Sequence, residues 1–399
     1  NSPSAVSSSF GCGYEWGRRT QHERLEMRPL TLDRDLVDRL AVTHGEGLVS
    51  ILIPTHRKGP ETAQDRIRLK NAVTDVDDLM DRAGWRRPSR EARLGLVRDL
   101  LDDEEFWAHQ GHGLAVYVDD QSEIVPIAVG DPLDTTITVA TAFHLRHLLP
   151  PLERAPLQAL VLTKGSVALF DVDVQGATQI DADLPRSMED VNWFIDYEAQ
   201  TQRHSDRAGS AGIQHGHDPS DRMHEDVERF LRSVAHAVGG GDAPLAVLGD
   251  DPVVDAFGRI TRRAVIGLDL DGSDRAQTAA EVHRRVLPII EQRFAERLAT
   301  HREQGAEAVG AGTTLTLFPA LLEAAGAGRL AQVYVRRGAP PVWGRFDPDT
   351  LHIEVTDTKT VGTVDLVDRL VMVARSFGAE IRPTDEAVEG HDFVATCRF

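Results

Sequence analysis

Apolar residues in this chain fall into two patterns. Some form short solid runs, and others recur every three or four positions. The run Leu48–Thr55, LVSILIPT, predicts a buried strand stopped at Pro54. From about Glu61 to Arg82, Ile67, Leu69, Val73, Val76, Leu79 and Met80 follow a helical period. A second helix is expected over about Ser89–Asp102, then strands at Gly113–Val118 and Glu123–Val129. The proline-rich, charged stretch from Leu149 to Pro156 reads as a linker. Residues 28–152 are therefore expected to form a first α/β domain.

A second unit is expected over 156–272. Three short runs, Gln158–Thr163, Val167–Val172 and Ala177–Ile180, are separated by Lys164-Gly165-Ser166 and Gln175-Gly176, which predicts a β-meander. A weak helix near Met188–Thr201 and a polar loop over 203–217 follow. Asp218 is a good N-cap and Pro219 suits a first helical position, so a helix is expected over about Pro219–Val238. Leu245–Leu248, a helix from Pro252 and Val265–Leu268 then read as a βαβ unit. The third unit, 275–399, opens with a long helix over about Arg275–Gln304. Val282, Val286, Ile290, Phe294 and Leu298 recur there every fourth residue, and Pro288 should kink it. A helix at Thr314–Ala325, strands at Ala331–Val335 and Leu351–Val355, a helix at Val364–Phe377 and a strand at Phe393–Cys397 complete an expected α/β sandwich.

Composition narrows the function classes. Hydrophobic residues at 41% and charged residues at 27% describe a globular chain, and no apolar run approaches membrane-spanning length. Cys12 and Cys397 are too few for a disulfide framework or a thiolate zinc site, which fits a cytoplasmic location. Residues 1–27 are rich in Ser and Gly and lack the pattern of a secretory signal; they are expected to be a flexible tail, with Met27 a candidate start.

The net charge of −19 argues against nucleic-acid binding over the whole surface, but charge is segregated. Residues 57–98 hold eleven Lys/Arg against seven acids, while residues 99–134 hold ten acids and no Lys/Arg. One reading is a basic face toward nucleic acid, with Arg57, Lys58, Arg66, Arg68, Lys70, Arg86 and Arg87, joined by Arg336 and Arg337 from the last unit. The acidic stretch 99–134 would then meet water or a protein partner. The plainer reading is two solvated helices with ordinary intrahelical pairs. Trp343 is a candidate for stacking on a base or for packing.

The segment Leu321-Leu322-Glu323-Ala324-Ala325-Gly326-Ala327-Gly328-Arg329-Leu330, followed by AQVYV, resembles the opening of the last domain in Pelota and the archaeo-eukaryotic class-one release factors. Phe377-Gly378-Ala379-Glu380-Ile381, then Asp385, Glu389-Gly390 and Phe393, is similar to that domain's closing turn and final strand. The stretch SILIPTHRKGPETAQDRIRLKNAV resembles the bacterial branch, the bacterial archaeo-eukaryotic release-factor-like proteins, and their third group in particular. The resemblance implies three domains: an N-terminal α/β domain, a middle domain of ribonuclease-H-like topology, and a C-terminal domain like kink-turn-binding ribosomal proteins. It also implies a ribosomal partner through rRNA or tRNA, and the residues themselves suggest no membrane span and no cofactor.

In release factors the middle-domain loop carries Gly-Gly-Gln, whose glycines allow positive φ and a close approach to the peptidyl-tRNA ester. Here the loop contains Gly209, Gly212, Ile213, Gln214, His215, Gly216 and His217. Ile213 takes the place of the middle glycine, and a β-branched residue disfavours positive φ. The plainer reading of the loop is a mobile polar segment without chemistry; the functional reading is contact with RNA or the ribosome without hydrolysis, with Gln214 as the residual catalytic candidate. His215 and His217 are metal-ligand candidates, but spacing fixes no third ligand. The leading expectation is a non-enzymatic translation factor acting in rescue, stalling or hibernation. The alternatives are a peptidyl-tRNA hydrolase or metal-dependent nuclease using the 203–217 loop, and a protein-interaction scaffold.

Overall fold

The computed structural model describes residues 28–57, 59, 61–163, 166–185, 219–269, 278–347, 350 and 352–398, with only the backbone of 219–224. The elements over 28–153 are β1 (Leu30–Thr31), α1 (Arg34–Ala41), β2 (His44–Pro54), α2 (Thr62–Arg82), α3 (Arg87–Asp99), α4 (Glu104–Ala108), β3 (Gly113–Val118), β4 (Ile124–Val129), β5 (Thr136–Ala142) and α5 (Leu149–Glu153). Its sheet has the order β1-β4-β3-β2-β5, with β1 parallel to β4 and the other pairs antiparallel. Alternation along β2 divides its side chains between two cores. Val49, Ile51 and Ile53 pack on Leu69, Val73, Val76 and Met80 of α2 and on Leu94 and Val97 of α3. Leu48 and Leu52 face the opposite way, into a second cluster. A strand buried on both faces has no polar side to show, which is why LVSILIP is a solid run.

The next sheet is built from β6 (Leu157–Leu162), β7 (Val167–Val172), β8 (Ala177–Ile180), β9 (Leu245–Gly249) and β10 (Val265–Leu268). Between its strands lie α6 (Pro219–Val238) and α7 (Asp251–Ile260). Its spatial order is β10-β9-β6-β7-β8; β6, β9 and β10 run parallel, while β7 is antiparallel to β6 and β8. Numbered within the sheet, that is 3-2-1-4-5 with strand 2 reversed, the ribonuclease-H-like topology that the resemblance implied. Phe230, Leu231 and Val234 of α6 and Val254 and Phe257 of α7 cover one face. The expected helix over Met188–Thr201 and the cap Asp218 lie outside the described residues.

The long helix α8 (Ala279–Gly310) covers the other face with Val282, Val286 and Ile290. Thr278 and Glu281 close a reciprocal capping box at its start, and the helix runs unbroken past Pro288. Beyond it lie β11 (Thr314–Leu315), α9 (Phe318–Gly326), β12 (Leu330–Arg336), β13 (Trp343–Asp347), β14 (His352–Val355), β15 (Val364–Asp365), α10 (Leu366–Ser376), β16 (Glu380–Thr384) and β17 (Phe393–Cys397). They form a β11-β17-β12-β16 sheet and a small β14-β13-β15 sheet. Gly305 of α8 is buried, and a Cβ there would come within 3.0 Å of Val388 and 3.2 Å of Tyr334; glycine lets the helix approach this sheet closely.

Candidate functional site

The loop residues Gly209, Gly212, Gln214, His215, Gly216 and His217 lie outside the described residues, as does Lys58. Among the described residues no group of His, Cys, Asp or Glu has a metal-binding arrangement, and no helix is long and apolar enough to cross a membrane.

The structure does not bring the expected basic residues into one patch. Helix α2 has 21 residues, so its ends are about 30 Å apart. Arg57, Arg66, Arg68 and Lys70 belong to its N-terminal end, whereas Arg86 and Arg87 follow its C-terminal end. Much of the charge is also answered locally. The Arg68 guanidinium donates to Asp65 at 2.5 Å and Arg87 pairs with Glu91 at 2.7 Å. Arg90 bonds to Asp77 and Asp81, and buried Arg93 donates to the carbonyls of Gly47 and Asp120. Arg336 pairs with Asp392 at 2.5 Å, and Arg337 lies 4.9 Å over the ring of Phe294. Trp343 carries Lys359 at 4.8 Å from its ring centre.

What remains is a compact basic corner at the end of β2. Arg57 and Lys70 are exposed, and Arg66 lies 6.0 Å over the Trp107 ring. His56 is locked by the buried Asp65: its backbone N–H donates to Oδ2 at 2.7 Å and its Nδ1 lies 3.0 Å from Oδ1, while Nε2 is 3.1 Å from Glu61. Nearby His112 is held below its ordinary pKa by partial burial and then by the charges of Arg57 and His56.

The acidic stretch 99–134 likewise does not form one face. Asp119, Asp120 and Glu123 cap the β3–β4 turn, and Asp131 and Asp134 follow the far end of β4. Two six-residue strands put about 20 Å between those ends. Several of these acids are already engaged: Asp103 caps α4, Glu105 pairs with Arg28 at 2.7 Å, and Asp131 with Arg154 at 2.5 Å.

A constellation that sequence reasoning missed is a buried polar clamp between the first sheet and α10. Asp368 accepts from the backbone N–H groups of Leu145 and Arg146, both at 2.6 Å, and from the Arg369 guanidinium at 2.7 Å. Arg369 also donates to the Phe143 carbonyl at 3.0 Å. Arg146 lies 2.9 Å from Asp365 and donates to the Ala339 carbonyl at 3.0 Å. Asp365 accepts from the N–H groups of Val342 and Val367. His144 is tied at its backbone to Ser50 and Tyr117, and its Nδ1 sits 3.9–4.0 Å from both carboxylates.

Burial pushes His144 down to about 3, against the pull of Asp368. Burial likewise drives Asp365 up to about 6, against Arg146. Asp368 stays below the usual carboxylate range: burial opposes its charge, but Arg369, His144 and the backbone donors outweigh it. Every element of this clamp holds modules together; none is arranged as nucleophile and base. Its one sequence signal was Asp365, Asp368 and Arg369 interrupting an apolar run, VDLVDRLVMVA.

A sheet of order 3-2-1-4-5 with strand 2 reversed and helices on both faces defines the class: a ribonuclease-H-like α/β fold. Residues 156–329 match the model of bacterial archaeo-eukaryotic release factor family 3. Among solved structures it is similar to Archaeoglobus fulgidus Pelota, at 12% identity over 94% of this chain and 94% of that one, with a TM-score of 0.30. It is similar to Thermoplasma acidophilum Pelota at 12% identity over 94% and 95%, TM-score 0.24. It is also similar to Saccharomyces cerevisiae Dom34 at 9% identity over 72% and 79%, TM-score 0.31. No curated protein matches significantly.

Proposed function

We propose that this protein is a cytoplasmic, ribosome-associated factor acting in rescue, stalling or hibernation without hydrolysing peptidyl-tRNA. One observation carries the reading: a segment of a release-factor family keeps Gly212 and Gln214 but places Ile213 between them. The ribonuclease-H-like sheet supports the same reading, because it supplies the scaffold on which such a loop is carried. In this reading the loop Gly209–His217 and the corner of Arg57, Arg66 and Lys70 meet RNA, the latter by phosphate contact.

The test is sucrose-gradient sedimentation of lysates from stationary-phase or stressed cells. The protein is expected in ribosomal fractions, and its absence from all of them overturns the assignment. Purified protein is expected to release no peptide from peptidyl-tRNA. Release that disappears in Gln214→Ala would instead establish the hydrolase alternative.

A further inference from the structure

A cavity of about 330 Å³ lies where α1, α5, α8, α10 and β16 meet. Its charged lining comes from distant parts of the chain: Arg34, Glu153, Arg297, His301, Arg375 and Glu380. Three guanidinium groups therefore line one partly open pocket in a molecule whose net charge is −19. The global field repels anions, so a local excess of cations here needs a local reason.

Structural pairing accounts for only part of it. Arg375 is held by Asp38 at 2.8 and 3.2 Å, and Arg34 donates to the Leu152 carbonyl at 3.2 Å. His301 uses Nδ1 on the Pro383 carbonyl at 2.9 Å. Glu380 is exposed and turned to Arg382 at 2.8 Å. Half-buried Arg297 has no hydrogen bond or ion pair among the described residues. Glu153 is the natural counterion, yet its Oε2 is buried with no hydrogen-bond partner. A buried acceptor without a donor beside a guanidinium without an acceptor marks a network missing a member.

We propose that this junction is an anion site that takes the phosphoryl group of a small phosphate monoester, with Arg297 as its principal ligand and Arg34 and Arg375 flanking it. Planar guanidinium groups suit phosphate oxygens, since each offers parallel N–H donors. Burial drives Glu153 up to about 7 against four neighbouring arginines, so near neutrality a large share of it carries a proton and can donate to a phosphate oxygen. The volume sits at the small end of ligand cavities and exceeds what a lone anion fills, which points to a phosphoryl group with a compact organic body. The bound group would tie the first module, the long helix and the last module at one point. This site stands independently of the ribosomal reading.

Isothermal titration of the full chain with inorganic phosphate and with ribose 5-phosphate, at physiological salt, tests it. Both are expected to bind, and Arg297→Gln is expected to weaken them about tenfold to a hundredfold, the range for a charge-assisted bond. Arg345→Gln, on exposed β13 and away from the cavity, is expected to leave affinity unchanged. Thermal melts without ligand confirm that each variant is folded. Tighter binding of ribose 5-phosphate than of inorganic phosphate sustains the monoester site, while equal affinities overturn the monoester and leave a site for free phosphate alone. No binding of either probe at millimolar concentration, equal binding by Arg297→Gln, or equal weakening by Arg345→Gln overturns it.

Discussion

At the scale of single residues, the clamp around Asp368 should dominate mutational sensitivity. Its carboxylate is buried and answers two backbone donors and one guanidinium. Asp368→Ala leaves Arg369 charged and buried without its partner, a change of about 3–5 kcal/mol. Urea denaturation should show that loss, and Asp368→Asn should lose less, because the amide oxygen can still accept from Leu145 and Arg146. His144 makes a second prediction. Its folded pKa is depressed from 6.5 to about 3, so the stability it supports is complete above pH 6.5 and drains away as pH falls toward 3. Asp365 runs the other way, since its folded value is raised from 3.8 to about 6 and its contribution is lost as pH rises through that window. The two partly cancel in the wild type. The stability difference between wild type and His144→Gln isolates the histidine. It should shrink on acidification with a slope of at most about 1.4 kcal/mol per pH unit. A difference independent of pH from 7 to 4 would show that His144 is not buried neutral.

At the scale of elements, α8 is the piece on which most depends. Its first half packs on the ribonuclease-H-like sheet through Val282, Val286 and Ile290, and its second half meets β12, β16 and β17. Phe294 sits at the changeover, buried, with Arg154 at 5.1 Å on its ring and Arg337 at 4.9 Å. Phe294→Ala should cost about 3–5 kcal/mol, from the cavity and the lost cation–ring contacts. A broadened, two-phase urea transition is expected as the middle sheet uncouples. This helix was legible in the sequence, since five apolar residues at a constant spacing of four have no other reading. The buried runs of β2, β3, β6 and β9 were legible for the same reason. Strand β16, with the sequence EIRPT, was not: it is an edge strand, where polar residues and a proline are tolerated and the alternating signal fades. Strand β5 is also an edge, and its threonines hide it in the same way. The clamp was invisible for a different reason. Leu145 and Asp368 are 223 positions apart, and no local pattern encodes a contact across that distance.

At the scale of the whole molecule, the first and last modules share one core. A single apolar cluster includes Leu36, Val37, Leu40, Leu48, Leu52, Tyr117 and Leu145 from the N-terminal part. It continues through Leu321, Leu322, Leu366, Leu370 and Val371 from the C-terminal part. The polar clamp lies in that same interface, where the low dielectric makes its pairing both strong and unforgiving. The middle sheet has its own two clusters and is joined through α8. The chain is thus not a string of three equal beads; the two ends form one body and the middle sheet a second. A fragment of residues 28–155 would expose the whole Leu48 and Leu52 face of its sheet to water. It is expected to bind 8-anilinonaphthalene sulfonate strongly and to aggregate, as a partly packed state does. Co-expression with residues 278–399 should restore a stable, copurifying complex with sharp thermal unfolding. A monodisperse fragment that melts cooperatively alone would mean that the two modules merely touch, and the clamp would then have to be read as a reversible latch between independently stable parts.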